Sequence, residues 1–135
     1  MRVTWSGADR AGWQVLDVTG TDRPGLTAAR HWAEVKLAKL RETDLTDTLI
    51  IVGELLENAY LHGGGPKQLR IHHAHVPCEV TVAVADIGGG EPKLRVPDHG
   101  GGRGLLLVDQ LCLAWGVSRH DDGKLVWARM ECAED

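Results

Sequence analysis

This chain of 135 residues has no cluster of Lys and Arg, no long apolar run and no closely spaced pair of cysteines. The formal net charge is −4, and neutralising a phosphate backbone needs a concentrated basic face, so no nucleic-acid partner is expected. The longest apolar runs, around Leu49 to Val52 and Leu105 to Val108, fall far short of the roughly 20 residues a membrane-spanning helix needs, so no membrane association is expected. No apolar stretch follows Met1-Arg2-Val3-Thr4-Trp5, nothing marks the chain for secretion, and a cytoplasmic location is expected. Cys78, Cys112 and Cys132 are odd in number, widely spaced and without a CxxC pair. That argues against a disulfide framework or a zinc ribbon and predicts reduced thiols. No internal repeat and no linker divide the chain, so one domain over residues 1–135 is expected.

Periodicity supplies the elements. Trp13 to Val18 is β-prone, and Pro24 followed by Leu26, Ala29, Trp32, Ala33, Val35 and Leu40 has helical spacing. A second helix opens with a cap at Thr43 or Asp44, runs through Leu45, Leu49, Val52, Leu56 and Ala59, and stops at His62-Gly63-Gly64-Gly65-Pro66. Leu69 to Ala74 and Glu79 to Ala85 read as an antiparallel pair about Val76-Pro77-Cys78, with Val80, Val82 and Val84 on one face. A Gly- and Pro-rich connection from Gly88 to Gly104, long enough to suggest a functional lid, leads into the apolar helix Leu105 to Cys112. A hairpin of Gly116 to Arg119 with Leu125 to Met130 turns at Asp121-Asp122-Gly123. Helices grouped with antiparallel strands predict a two-layer α+β sandwich with one helix-covered face.

Three constellations carry chemistry. Glu54 and Asn58 are four residues apart on one side of the second helix, opposite the Leu45, Val52 and Leu56 stripe. Flanked by Ile50, Ile51 and Leu61, a carboxylate beside a carboxamide there calls for a bound partner. A carboxamide oxygen suits Mg²⁺ and a carboxylate suits a general base. Taken alone, the pair also fits a solvated helix face. Asp86 ends a buried strand and is followed by Ile87-Gly88-Gly89-Gly90. A carboxylate there can accept a hydrogen bond from the exocyclic amine of adenine, and the glycines admit the base; a simple Asp-Gly turn is the plainer reading. Gly100-Gly101-Gly102-Arg103-Gly104 opens directly into the helix at Leu105, where free amides and the helix dipole make a phosphate site to which Arg103 adds charge. A flexible connector has the same composition. The order of the three is what one ATP requires.

On these residues the sequence resembles the Bergerat-fold ATPases (GHKL superfamily), which include Hsp90, MutL, gyrase B, histidine-kinase catalytic domains and anti-sigma-factor serine kinases. It is most similar to the last type, RsbW- and SpoIIAB-like, and to small actinobacterial ATP-binding proteins related to it. Glu54-x-x-x-Asn58 with Ala59 and His62-Gly63 matches the N box, Asp86-x-Gly88-x-Gly90 the G1 box, and Gly102-x-Gly104-Leu105 the G2 box. The resemblance covers about residues 13 to 131 and implies a histidine-kinase-like ATP-binding domain with a mixed, mainly antiparallel sheet under a helix layer. It further implies Mg-ATP held by Asn58, His62, Asp86, Gly88, Gly90, Gly102, Arg103, Gly104 and Leu105, with Asn58 on the metal and Glu54 catalytic. The implied activity is that of a serine/threonine kinase regulating a sigma factor by phosphorylating a STAS-type antagonist. A binding switch of the same fold without catalysis is the alternative. A histidine kinase would need two further helices with a phosphoacceptor His, for which the residues ahead of the first helix are too few. The family often has a Thr on the last strand beside the adenine, where Leu125 stands here, and the lid from Gly90 to Gly100 is short.

The resemblance also implies pairing as a homodimer, for which Ala29, Trp32 and Val35 offer an apolar face. His72, His73 and His75 with Cys78 invite a metal reading, since imidazole and thiolate are good zinc ligands. No fourth ligand has a suitable spacing, so surface histidines are the simpler expectation. The tryptophans, Trp5 and Trp13 among them, read as core or interface anchors.

Overall fold

The computed structural model describes residues 12–18, 23–62, 65–86, 104–120 and 123–134. Three helices and five strands follow in the order β1 (Trp13–Asp17), α1 (Arg23–Lys36), α2 (Glu42–His62), β2 (Pro66–His75), β3 (Cys78–Asp86), α3 (Gly104–Leu111), β4 (Ala114–His120) and β5 (Gly123–Glu131). The strands form one sheet in the order β1-β2-β3-β5-β4, and every neighbouring pair is antiparallel. The mainly antiparallel α+β sandwich expected from the sequence is thus antiparallel throughout its described strands.

Alternation along β3 sets the layers. Val80, Val82 and Val84 point to the helices and meet Val126, Ala128 and Met130 across the β3/β5 register. Ala29 and Ala33 of α1 and Ile51, Val52, Leu55, Leu56 and Ala59 of α2 close the same core. The intervening residues Ala83, Leu125 and Trp127 form a smaller cluster on the other face. Gly116 of β4 is required there: a Cβ would come within 2.8 Å of the Trp127 ring.

Two details depart from expectation. Helix α2 begins at Glu42, one turn ahead of the Leu45 N–H that bonds the Arg41 carbonyl. Neither Thr43 nor Asp44 is therefore its cap; the Asp44 carboxylate instead accepts the Ala133 N–H at 2.8 Å, tying the C-terminal tail to α2. The apolar face offered for pairing is mostly internal, because Ala29 is buried and Trp32 packs on the core, leaving Val35 exposed. No described helix is long and apolar enough to cross a membrane.

Candidate functional site

Helix α2 carries the first constellation. Thr48, Ile51, Leu55 and Asn58 form one buried row along it, at helical spacing, and Asn58 is only 6% exposed. Asn58 therefore belongs to the buried side of the helix, contrary to its expected place opposite the apolar stripe. The buried arc is wider than the stripe because α2 is packed on β2, β3 and β5 on one side and on α1 and α3 on others. The Asn58 Nδ2 has no hydrogen-bond partner among the described residues, an unusual state for a buried amide. Glu54, one turn earlier, is half-buried at the rim. It lines a cleft of about 460 Å³ with Thr27 and Arg30 of α1, Gly53 and Glu57 of α2, and Leu107 of α3. Asn58 and Asp86 are not among the walls of that cleft.

Asp86 is the last residue of β3, on the helix-facing side continuing from Val84. Across the strand pair its register partner is Lys124 of β5. The Lys124 Nζ lies 3.3 Å from Asp86 Oδ1 and 3.2 Å from Oδ2, and both side chains are all but sealed from solvent, at 1% and 0% exposure. Leu125, expected beside the adenine, points to the opposite face with Ala83 and Trp127. The β3/β5 register explains the correction: alternation puts Lys124, not Leu125, on the side of Asp86. Lys124 is hard to pick out from sequence because a buried lysine is rare. Its signal was a cation directly ahead of the apolar run Leu125 to Ala128, at the register position of a strand-ending aspartate.

Helix α3 starts at Gly104 and packs on α2 through Val108, which is fully buried. His62, Gly104 and Leu105 are placed at helix ends as backbone. Gly88, Gly90, Gly102 and Arg103 lie outside the described residues, as do Trp5 and the turn Asp121-Asp122.

The opposite end of β3 departs from expectation. Cys78 and Cys132 form a disulfide, so two of the three thiols expected to be reduced are joined. Antiparallel pairing of Glu79 with Glu131 brings the flanking cysteines together across 54 residues, a proximity that sequence spacing hides. Beside it, the His73 and His75 rings share a strand face, 4.3 Å apart. His72 lies on the other face against Trp13. The tail returns past the α1–α2 turn, where Glu134 bridges Leu40. Glu134 Oε1 then sits 2.7 Å from His75 Nδ1 and 3.7 Å from His73 Nε2. His73 Nε2 also lies 3.5 Å from Cys78 Sγ. Partial burial, then the neighbouring His75, pushes the His73 imidazole below its usual pKa. The hydrogen bond from His75, helped by the charge of both histidines, lowers that of Glu134. Cys112 is a free thiol at the end of α3, and burial and Asp109 push its pKa up, which makes it a poor nucleophile.

The sequence profile of the histidine kinase-like ATPase domain matches residues 21–130. No curated protein matches in sequence. Among solved structures, the RsbU and RsbW domains of Rv1364c from Mycobacterium tuberculosis are similar at a TM-score of 0.68 and 15% identity, over 91% of this chain and 33% of that one. The chain thus spans about a third of the length of that structure, and at this identity the likeness is one of fold.

Proposed function

We propose, from the premise that the chain belongs to the histidine kinase-like ATPase domain family, that it is a single-domain ATP-dependent regulator of the anti-sigma kinase type. An ATPase domain implies nucleotide binding. The observation that carries the assignment of the site is Asn58: a buried carboxamide with an amide nitrogen lacking a partner among the described residues, one turn from a rim carboxylate at a cleft. A buried polar group in that state is costly unless something binds there.

Each residue then has a role. The unpartnered Nδ2 of Asn58 is a donor that a phosphate oxygen would satisfy, and its carboxamide oxygen is of the kind Mg²⁺ takes; when bound, the ion would neutralise charge on the phosphates. The backbone amides of Gly104 and Leu105 at the start of α3, with Gly102 and Arg103 just ahead of them in sequence, hold the phosphates. Asp86, with Gly88 and Gly90, reads the adenine amine as a carboxylate acceptor; an ionised carboxylate has about four acceptor sites. His62, which matches the N box, is assigned to the same nucleotide. Glu54 accepts the proton of an attacking serine hydroxyl as its oxygen bonds to the γ-phosphorus and the bond to ADP breaks. The partner in this reading is a STAS-type antagonist, with a sigma factor as the regulated protein.

One observation favours a second reading. Asp86 already has a counter-charge in Lys124, so the pair also serves as a structural ion pair in a nucleotide-dependent binding switch without catalysis. Labelled ATP incubated with the chain and candidate STAS proteins separates the two. The kinase reading expects label on a partner serine, and it expects Glu54→Gln to bind ATP nearly as the wild type while transfer falls about 10²–10⁴-fold. Binding of Mg-ATP with no transfer to any partner supports the switch. Transfer by Glu54→Gln at the wild-type rate removes Glu54 as the base.

A further inference from the structure

We propose that Cys78, Cys132, His73 and Glu134 form a zinc site in the reduced chain, with His75 positioning Glu134, and that the disulfide is the metal-free form of that site. The side chains converge from three stretches that topology alone brings together: the β2/β3 hairpin, the end of β5 and the returning tail. One ligand atom each from His73, Cys78 and Cys132 lies within 4.8 Å of the others, and the same holds for His73, His75 and Glu134, so His73 belongs to both triads. Tetrahedral zinc with bonds of about 2.0–2.3 Å has ligand atoms roughly 3.3–3.8 Å apart. The distances from His73 Nε2 to Cys78 Sγ, 3.5 Å, and to Glu134 Oε1, 3.7 Å, already have that length.

The donor set is that of zinc. Two thiolates, an imidazole and a carboxylate are typical of this ion and poor for Mg²⁺ or Ca²⁺. The 2.7 Å contact of His75 Nδ1 with the Glu134 carboxylate is the outer hydrogen bond by which such ligands are oriented. Lys39, close enough to act on both His73 and Glu134, opposes a cation but does not cancel two thiolates and a carboxylate. Occupation depends on redox state. A dithiol reductant delivers two electrons and two protons to the Cys78–Cys132 bond and closes to its own disulfide. The two thiols so formed lose their protons as the metal binds. The site lies eight residues along β3 from Asp86, about 26 Å at the usual strand rise, and is independent of the nucleotide reading.

The test uses the full chain with Cys112→Ala, which removes the remaining thiol, freed of metal and reduced with a phosphine, then titrated with Co²⁺ and with Zn²⁺ as competitor. The expected result is one equivalent of Co²⁺ with intense tetrahedral d–d bands and thiolate charge transfer, displaced by Zn²⁺. The oxidised chain should show neither. Cys78→Ser, left with the single Cys132 thiolate, should weaken the charge-transfer band, and His75→Ala should weaken binding about 10–100-fold. A reduced chain that takes up no Co²⁺, an oxidised chain that binds it equally, or an unchanged spectrum in Cys78→Ser would each overturn the proposal. The comparison of oxidised with reduced chain needs no ligand variant, so a folding defect in one variant does not blunt it.

Discussion

The two ends of β3 hold the chain together by opposite means. At Asp86 an ion pair is sealed from solvent, where a low dielectric makes the attraction strong and removal of either partner costly. At Cys78 the link is covalent, and around it stand His75, Glu134 and a partly exposed His73. The sealed end is sensitive to what replaces a side chain and little affected by salt; the open end is accessible to reductants, protons and metal ions. Charge buried at one end and chemistry exposed at the other suit a nucleotide pocket and a site responsive to the medium.

The sharpest break in this comparison comes at the sealed end. Lys124→Met removes the cation paired with the buried Asp86 carboxylate and should cost about 3–5 kcal/mol in urea unfolding. Adding Asp86→Leu should recover most of that loss, since an apolar pair of similar volume is tolerated, while ATP affinity still falls roughly tenfold to a hundredfold through the lost charged hydrogen bond. A double variant no more stable than the single one would show that the pair is not the source of the loss.

At the open end the effect is smaller and conditional. Cys132→Ser should destabilise the oxidised, metal-free chain by about 2–4 kcal/mol, and should cost little against a wild type that is reduced and metal-free. Equal losses under both conditions would place the effect in packing.

The smallest effect is on pH dependence. The folded-state pKa of His73 is lowered, so the unfolded chain takes up its proton first as pH falls. Its neutral form favours the fold above the unfolded value of about 6.5, and that contribution is lost as pH drops from there through the lower folded value. His73→Gln should flatten the stability curve of the metal-free chain on the acid side of neutrality. A steeper curve in the variant would mean that the charge of Glu134 outweighs burial at this histidine.

What the sequence made legible was local. The Leu45, Leu49, Val52, Leu56 and Ala59 spacing marks α2, and the Val80, Val82 and Val84 alternation marks the covered face of β3, because a helix or strand with one buried side repeats at its own period. The N-box, G1 and G2 spacings carried the ATPase resemblance, and the domain match agrees with it. What stayed hidden was contact at a distance. Lys124 meets Asp86 across 38 residues and Cys132 meets Cys78 across 54, and both depend on β3/β5 register, which no single segment specifies. The burial of Asn58 was hidden because α2 is covered on more sides than its apolar stripe suggests.

The central claim is that α2 holds Mg-ATP through Asn58, and calorimetric titration of ATP into the wild type and Asn58→Ala, each with and without Mg²⁺, tests it most directly. The account predicts that the wild type binds ATP more tightly with Mg²⁺ and that Asn58→Ala, folded as judged by circular dichroism, loses this Mg²⁺-dependent gain. A folded variant that keeps the full gain would contradict it.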